Sequence, residues 1–240
     1  MLAACIQLHI ELCRPEENLC RALQMAESAL SQGAEILVLP ELFQTGFCYE
    51  PSAQDFPPFP ALDPFRALAL KHGCLVIGSL KSGRQNLGFC LEDDGVEMRP
   101  KVHPFGPEKE HFDGGSFISP IFTRCGMVGL QVCYDLRFPE VARLLALQGA
   151  DFLVTIAQFP PQRQAQWRTL CRARAIENQF PHLACNWAQG GASLIINARG
   201  EALVEAGNKE CMILEEVDLA VRDEVRREIP CFADRRPEVY

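Results

Sequence analysis

Short, uninterrupted apolar runs alternate along this chain with longer stretches whose apolar positions recur at helical spacing. The runs at 2–10, 34–41, 74–80, 126–133, 151–157, 182–188 and 211–219 lack the polar alternation of a half-exposed strand, so they predict strands covered on both faces. Residues 86–102 predict a hairpin around Asp93-Asp94-Gly95, and 192–206 a second one turning at Arg199-Gly200. Helices are predicted over 15–33, with Pro15 near the start and Gly33 just past the end, and over 63–73, 138–150 and 166–180. Strands interleaved with helices give an α/β class, read as a single domain over residues 1–240 with helices covering sheet faces. The Pro-rich stretch 51–64 reads as a surface loop, and the charged, Pro-broken tail 223–240 as an extended arm packed against the body.

Composition narrows the picture. The 240 residues are 48% hydrophobic, enough for a core that needs no metal or disulfide staple. A net charge of -8 argues against nucleic acid or an anionic membrane as partner. No apolar stretch approaches the ~20 residues needed to cross a bilayer. The N-terminus shows no secretory pattern, and several of the 12 cysteines, such as Cys74, Cys90 and Cys185, lie inside apolar runs. The expectation is therefore the reducing cytoplasm, with cysteines as core filler and no disulfide framework. No CxxC pair occurs, which argues against a zinc ribbon or a thioredoxin-type site.

Three reactive residues stand at or just past the ends of apolar runs: Glu41 after EILVLP, Lys101 after VEMRP, and Cys133 closing MVGLQV. Each alone has an ordinary reading: a helix-start carboxylate, a solvated lysine, a core thiol. Ligands of α/β folds bind outside the carboxyl ends of strands, so the three could converge on one pocket. Together they form a working set of nucleophilic thiol, proton-accepting carboxylate, and a cation for negative charge on an attacked carbonyl or nitrile. The strand-to-helix placement of Cys133 also predicts a thiol pKa lowered by a helix N-terminus.

The stretches that hold these residues are LVLPELFQTGF (37–47), RPKVHPFGPEKEHFDGG (99–115) and GLQVCYDLRFPE (129–140). They resemble the glutamate, lysine and cysteine motifs of the nitrilase, or carbon–nitrogen hydrolase, superfamily, and the resemblance covers nearly the whole chain. ARAIENQ (173–179) and IPCFADRRPEVY (229–240) also fit. The resemblance implies a four-layer α-β-β-α sandwich, usually assembled into a homodimer or larger homo-oligomer. It implies Glu41 as general base, Lys101 as the cation facing the oxyanion, and Cys133 as nucleophile. A second glutamate falls on Glu108, with Glu110 as the alternative. The backbone N–H of Tyr134 completes the oxyanion site. No metal or organic cofactor is implied, and His103 and His111 are weak evidence for a metal pair.

CYDLRFPE and the stretch 159–179 are most similar to the Nit-type branch, which includes ω-amidases acting on 2-oxoglutaramate and amidases of deaminated glutathione. The implied reaction is hydrolysis of a small amide by water, through a thioester, to a carboxylate and ammonia. Arg163 is the candidate for binding a substrate carboxylate, and Arg137 reads as a structural ion-pair partner. The sequence departs from the pattern at Pro104, at Gln158 and in the short CNWAQGGASLI segment, positions that bear on substrate rather than on hydrolysis. N-carbamoyl amidase and nitrilase remain in-class alternatives. A redox-sensing thiol protein is the alternative from outside the class; it lacks a resolving cysteine close to Cys133, since Cys125 on the same run reads as core.

Overall fold

The computed structural model describes residues 1–93 and 95–239, with Ser52 described by its backbone alone. Asp94, part of the first expected hairpin turn, lies outside the described residues.

The first half of the chain builds one sheet. Its strands are β1 (Leu2–Gln7), β2 (Ile36–Val38), β3 (Leu75–Ser82), β4 (Gln85–Glu92) and β5 (Gly95–Pro100), and the last strand, β12 (Cys211–Glu216), returns to its edge. The second half builds the other from β6 (Ile121–Thr123), β7 (Gly126–Val132), β8 (Phe152–Ala157), β9 (His182–Asn186), β10 (Leu194–Ile196) and β11 (Ala202–Glu205). The sheet orders are β12-β1-β2-β3-β4-β5 and β11-β10-β9-β8-β7-β6. In each, three consecutive parallel strands are flanked by antiparallel ones: β1-β2-β3 in the first and β7-β8-β9 in the second. The carboxyl ends of each parallel set therefore point the same way.

Helices α1 (Pro15–Ser31) and α2 (Asp63–His72) cover the outer face of the first sheet, while α3 (Pro139–Leu147) and α4 (Gln164–Asn178) cover the second. The period-2 pattern divides each strand between two cores. Leu75 and Ile77 join Val128, Leu130, Val154 and Ile156 between the sheets, whereas Val76 and Leu80 face the α1/α2 layer. Helix α1 starts on Pro15 with Glu16 and Glu17 in its first turn, where carboxylates suit the dipole, and it buries Ala22, Ala26 and Ala29 at helical spacing. Helix α2 stops at Gly73, whose φ of +64° closes the C-terminal turn onto the Ala69 carbonyl. The result is the α-β-β-α sandwich.

Some expectations need correction. The tail does not begin extended: α5 (Ala220–Glu228) occupies most of its first half, and Phe232 then packs beside α3. Cys125 lies in the turn before β7 rather than on the strand, and the short β6 had no readable signal of its own. Disulfides were not expected, yet Cys13 and Cys48 are bonded to each other. They sit in the loops after β1 and β2, which neighbour strands bring together; a composition argument about the whole cysteine set does not resolve one such pair.

Gly190 shows how tightly the loop after β9 is built. A Cβ there would lie 2.0 Å from the Phe159 carbonyl oxygen, which already accepts from Trp187 Nε1 and Asn186 Nδ2. Overpacking of this kind costs about 1–3 kcal/mol, so Gly190→Ala is expected to lower the unfolding free energy by about that amount and the urea midpoint with it. Because Phe159 follows Gln158 of the site, the variant is also expected to lose activity; an unchanged midpoint in urea would contradict the contact.

Candidate active site

The site forms where strand ends of the two sheets meet. Glu41 follows β2 and is fully buried, and Leu42 N–H donates to Ser79 Oγ on neighbouring β3. Lys101 follows β5, with its N–H bonded to the Asn86 carbonyl of β4. Cys133 follows β7 and opens a short 3₁₀ turn, Cys133–Arg137. Its φ is +49°, a left-handed conformation that a side chain other than glycine adopts at a cost of about 1–3 kcal/mol.

That conformation is held from the next turn. The Asp135 carboxylate accepts from the N–H groups of Val132 (3.1 Å), Val102 (3.3 Å) and His103 (2.8 Å), and pairs with His103 Nδ1 at 2.8 Å. The His103 ring stacks on Phe138 with centroids 3.7 Å apart. One buried acid thus ties the lysine loop to the cysteine turn.

At the centre, Lys101 Nζ lies 2.7 Å from Glu41 Oε1 and 2.7 Å from Glu108 Oε2. Asn86 Nδ2 donates to the same Glu41 oxygen at 2.8 Å. Gln158 N–H donates to Glu41 Oε2 at 3.1 Å, and Gln158 Nε2 to the Glu41 carbonyl at 2.8 Å. The Glu41 carboxylate also acts on the buried Cys133 thiol, raising its pKa. Glu41 is therefore fixed through both carboxylate oxygens and its backbone.

The electrostatics correct one expectation. Burial, then the charge of Glu41, pushes the Cys133 thiol well above its ordinary pKa, with Lys101 opposing. The turn is only 3₁₀, and its dipole does not prevail over two buried carboxylates, so the resting thiol keeps its proton. Burial works against the Lys101 ammonium, but Glu41, Cys133 and Glu108 outweigh it and keep the lysine charged. Burial and the nearby Glu41 push Glu108 up to about 7.

The other sequence candidates fall at varied places. Glu110 is exposed. Tyr134 packs its ring 4.7 Å from Phe105, and the exposed Arg163 lays its guanidinium 5.3 Å over the same Phe105 ring. Arg163 thus stands at the rim of the cluster. Arg137 makes no ion pair among the described residues; it donates to Gln166 and lies over Phe159. His103 and His111 are apart in role, since His111 stacks on Tyr49 at 3.6 Å. Asn86 and the function of Gln158 were missed. The one signal for Asn86 was an amide at the start of an apolar strand; Gln158 stood out only as an unusual residue.

Residues 2–227 match the carbon–nitrogen hydrolase family, to which the chain belongs. It is 32% identical to the 2-oxoglutaramate amidase of Bacillus subtilis, over 99% of this chain and 98% of that protein. It is 30% identical to omega-amidase NIT2 of Bos taurus, over 99% and 95%. Among solved structures, Nit3 of Saccharomyces cerevisiae, a member of branch 10 of the nitrilase superfamily, superposes with a TM-score of 0.90 at 28% identity, covering 98% of this chain and 96% of that one. The protein is an enzyme that hydrolyses carbon–nitrogen bonds other than peptide bonds.

Two predictions follow from the site's own contacts. Asp135→Ala leaves three backbone N–H groups without their acceptor and should destabilise the fold by about 3 kcal/mol, read as a urea midpoint; a loss under 1 kcal/mol would contradict the role given to this acid. Glu108 is anionic above its pKa of about 7, and only the anion holds Lys101 by charge. Activity should therefore rise with pH through about 7, and in Glu108→Gln that limb should vanish while the remaining rate drops. The pH profile of kcat/KM for both proteins checks this.

Proposed function

We propose that the chain is an ω-amidase, hydrolysing the terminal amide of a small carboxylate-bearing substrate of the 2-oxoglutaramate type. The observation that carries this reading is the buried cluster in which the Glu41 carboxylate acts on the buried Cys133 thiol while Lys101 is bridged between Glu41 and Glu108. The names of the relatives supply the substrate class.

In the proposed mechanism Cys133 Sγ attacks the amide carbon as its proton passes to Glu41. This relieves the thiol's raised pKa at the moment of bond formation, since thiolate charge never has to build up alone beside two carboxylates. The oxyanion forms against Lys101 Nζ and the Tyr134 N–H. Glu41 returns the proton to nitrogen, the C–N bond breaks, and ammonia leaves a Cys133 thioester. Water, positioned by Glu108, then gives its proton to Glu41 and attacks the thioester; collapse frees the acid and restores the thiol. Arg163, exposed at the rim on Phe105, draws in the substrate carboxylate.

The proposal extends to assembly. Leu144 and Leu147 on α3 and Ile176 on neighbouring α4 are exposed apolar side chains on one helical layer, which suits a homodimer contact. No helix among the described residues is long and apolar enough to cross a membrane. A cytoplasmic setting suits a thiol nucleophile, although the Cys13–Cys48 bond runs against a strongly reducing one.

Ammonia release from 2-oxoglutaramate, set beside deaminated glutathione, an N-carbamoyl amino acid and a nitrile, tests the reading. Wild type should favour 2-oxoglutaramate, and Cys133→Ala should lose at least about 10³-fold in kcat. Preference for the carbamoyl compound or the nitrile would move the enzyme to another branch, and an active Cys133→Ala would remove the nucleophile.

A further inference from the structure

Lys81 is a buried ammonium that the mechanism leaves unused. It is 5% exposed. Among the described residues its ammonium makes one hydrogen bond, from Nζ to the Cys48 carbonyl at 3.1 Å, and Nζ lies 5.6 Å from the centroid of the Tyr49 ring. Among the described residues no carboxylate lies within ion-pair distance. An ammonium has three N–H donors, and burying one without a counter-charge is costly. Burial indeed depresses its pKa, with no acid to oppose the shift. Lys101, by contrast, holds two carboxylates.

The strand pattern says where Lys81 points. It lies at the carboxyl end of β3 and pairs with Asn86 of β4. Residues opposite one another in a ladder project from the same face, and Asn86 reaches Glu41 from that face. By the period of 2, Lys81 also shares its face with Leu75, Ile77 and Ser79, the first two of which lie between the sheets. Glu41, Lys101, Cys133 and Gln158 all follow strand ends as well. Tyr49 links the two places: its ring lies beneath Lys81, and its phenol is in the field of Glu108, Lys101 and Glu41.

We infer that Lys81 is the specificity residue that binds the substrate's carboxylate, at the end of the molecule away from the scissile amide. The inference rests on the ω-amide reading and deepens it. The amide carbon sits at Cys133 and the chain runs past Tyr49, so that the carboxylate supplies the counter-charge that Lys81 lacks. Arg163 then gathers anions at the rim, whereas Lys81 selects them inside, where a charge-assisted contact is stronger.

The experiment compares kcat/KM for 2-oxoglutaramate and succinamate, both carboxylated, with that for neutral butyramide, in wild type, Lys81→Met, Lys81→Arg and Arg163→Ala. Lys81→Met keeps the length and apolar stem without the charge. Its ratio of carboxylated to neutral amide should fall about 30–100-fold, Lys81→Arg should recover part of it, and Arg163→Ala should lose less than Lys81→Met. As a readout independent of turnover, glutarate should slow alkylation of Cys133 in wild type and not in Lys81→Met. A merely structural lysine would lower both rates alike and leave the ratio and the protection intact, which overturns the inference. Activity on butyramide alone, with none on either carboxylated amide, would sink the ω-amidase reading; activity on succinamate without 2-oxoglutaramate would overturn only the keto-acid part of it, and the Lys81 ratio is then read on succinamate. A wild type indifferent to the carboxylate, with no glutarate protection, rejects both.

Discussion

The Lys101 ammonium, bridged between Glu41 and Glu108 at 2.7 Å each, is the interaction on which the rest of the site depends. Two carboxylates and a thiol share one buried volume, and without a fixed cation the acids would repel each other and take up protons. Lys101 makes their proximity tolerable. Asn86 and Gln158 then fix the Glu41 carboxylate beside Cys133, so that the proposed base is in place before any substrate arrives. Such preorganisation keeps the groups from having to reorient during the reaction.

The sandwich exists, for this purpose, to bring strand ends together. Glu41 and Lys101 belong to one sheet, Cys133 and Gln158 to the other, and the apolar faces packed between them set the distance. Asp135 adds a polar tie across that seam, holding the lysine loop and the left-handed Cys133 turn with a single carboxylate. The strained Cys133 turn is thus supported by contacts from both sheets, and loosening either one should reach the site.

Most of this architecture was legible in the sequence because each strand is buried on both faces and therefore reads as an unbroken apolar run. The short β6 was not, since three residues carry no period. The tail misled because its charges and prolines hid α5, which buries little beyond Val225. The positions of Glu41, Lys101 and Cys133 were readable as strand ends, and Glu108 from its motif. The thiol's pKa was not, because its direction depends on burial and on charges distant in sequence. For the same reason Asn86, Gln158, Lys81 and the Cys13–Cys48 pair were invisible: each matters through a partner supplied by another loop or strand.

The central claim is that Cys133 carries the acyl group between the loss of ammonia and the arrival of water. Rapid quenching of the enzyme with an ω-amide, followed by intact-mass and peptide mass spectrometry, tests it directly. The account predicts an adduct of substrate mass less ammonia, on the peptide that contains Cys133 and on none of the other cysteines. Ammonia release with no adduct at any quench time, in a protein whose Cys133 is already alkylated, would contradict it.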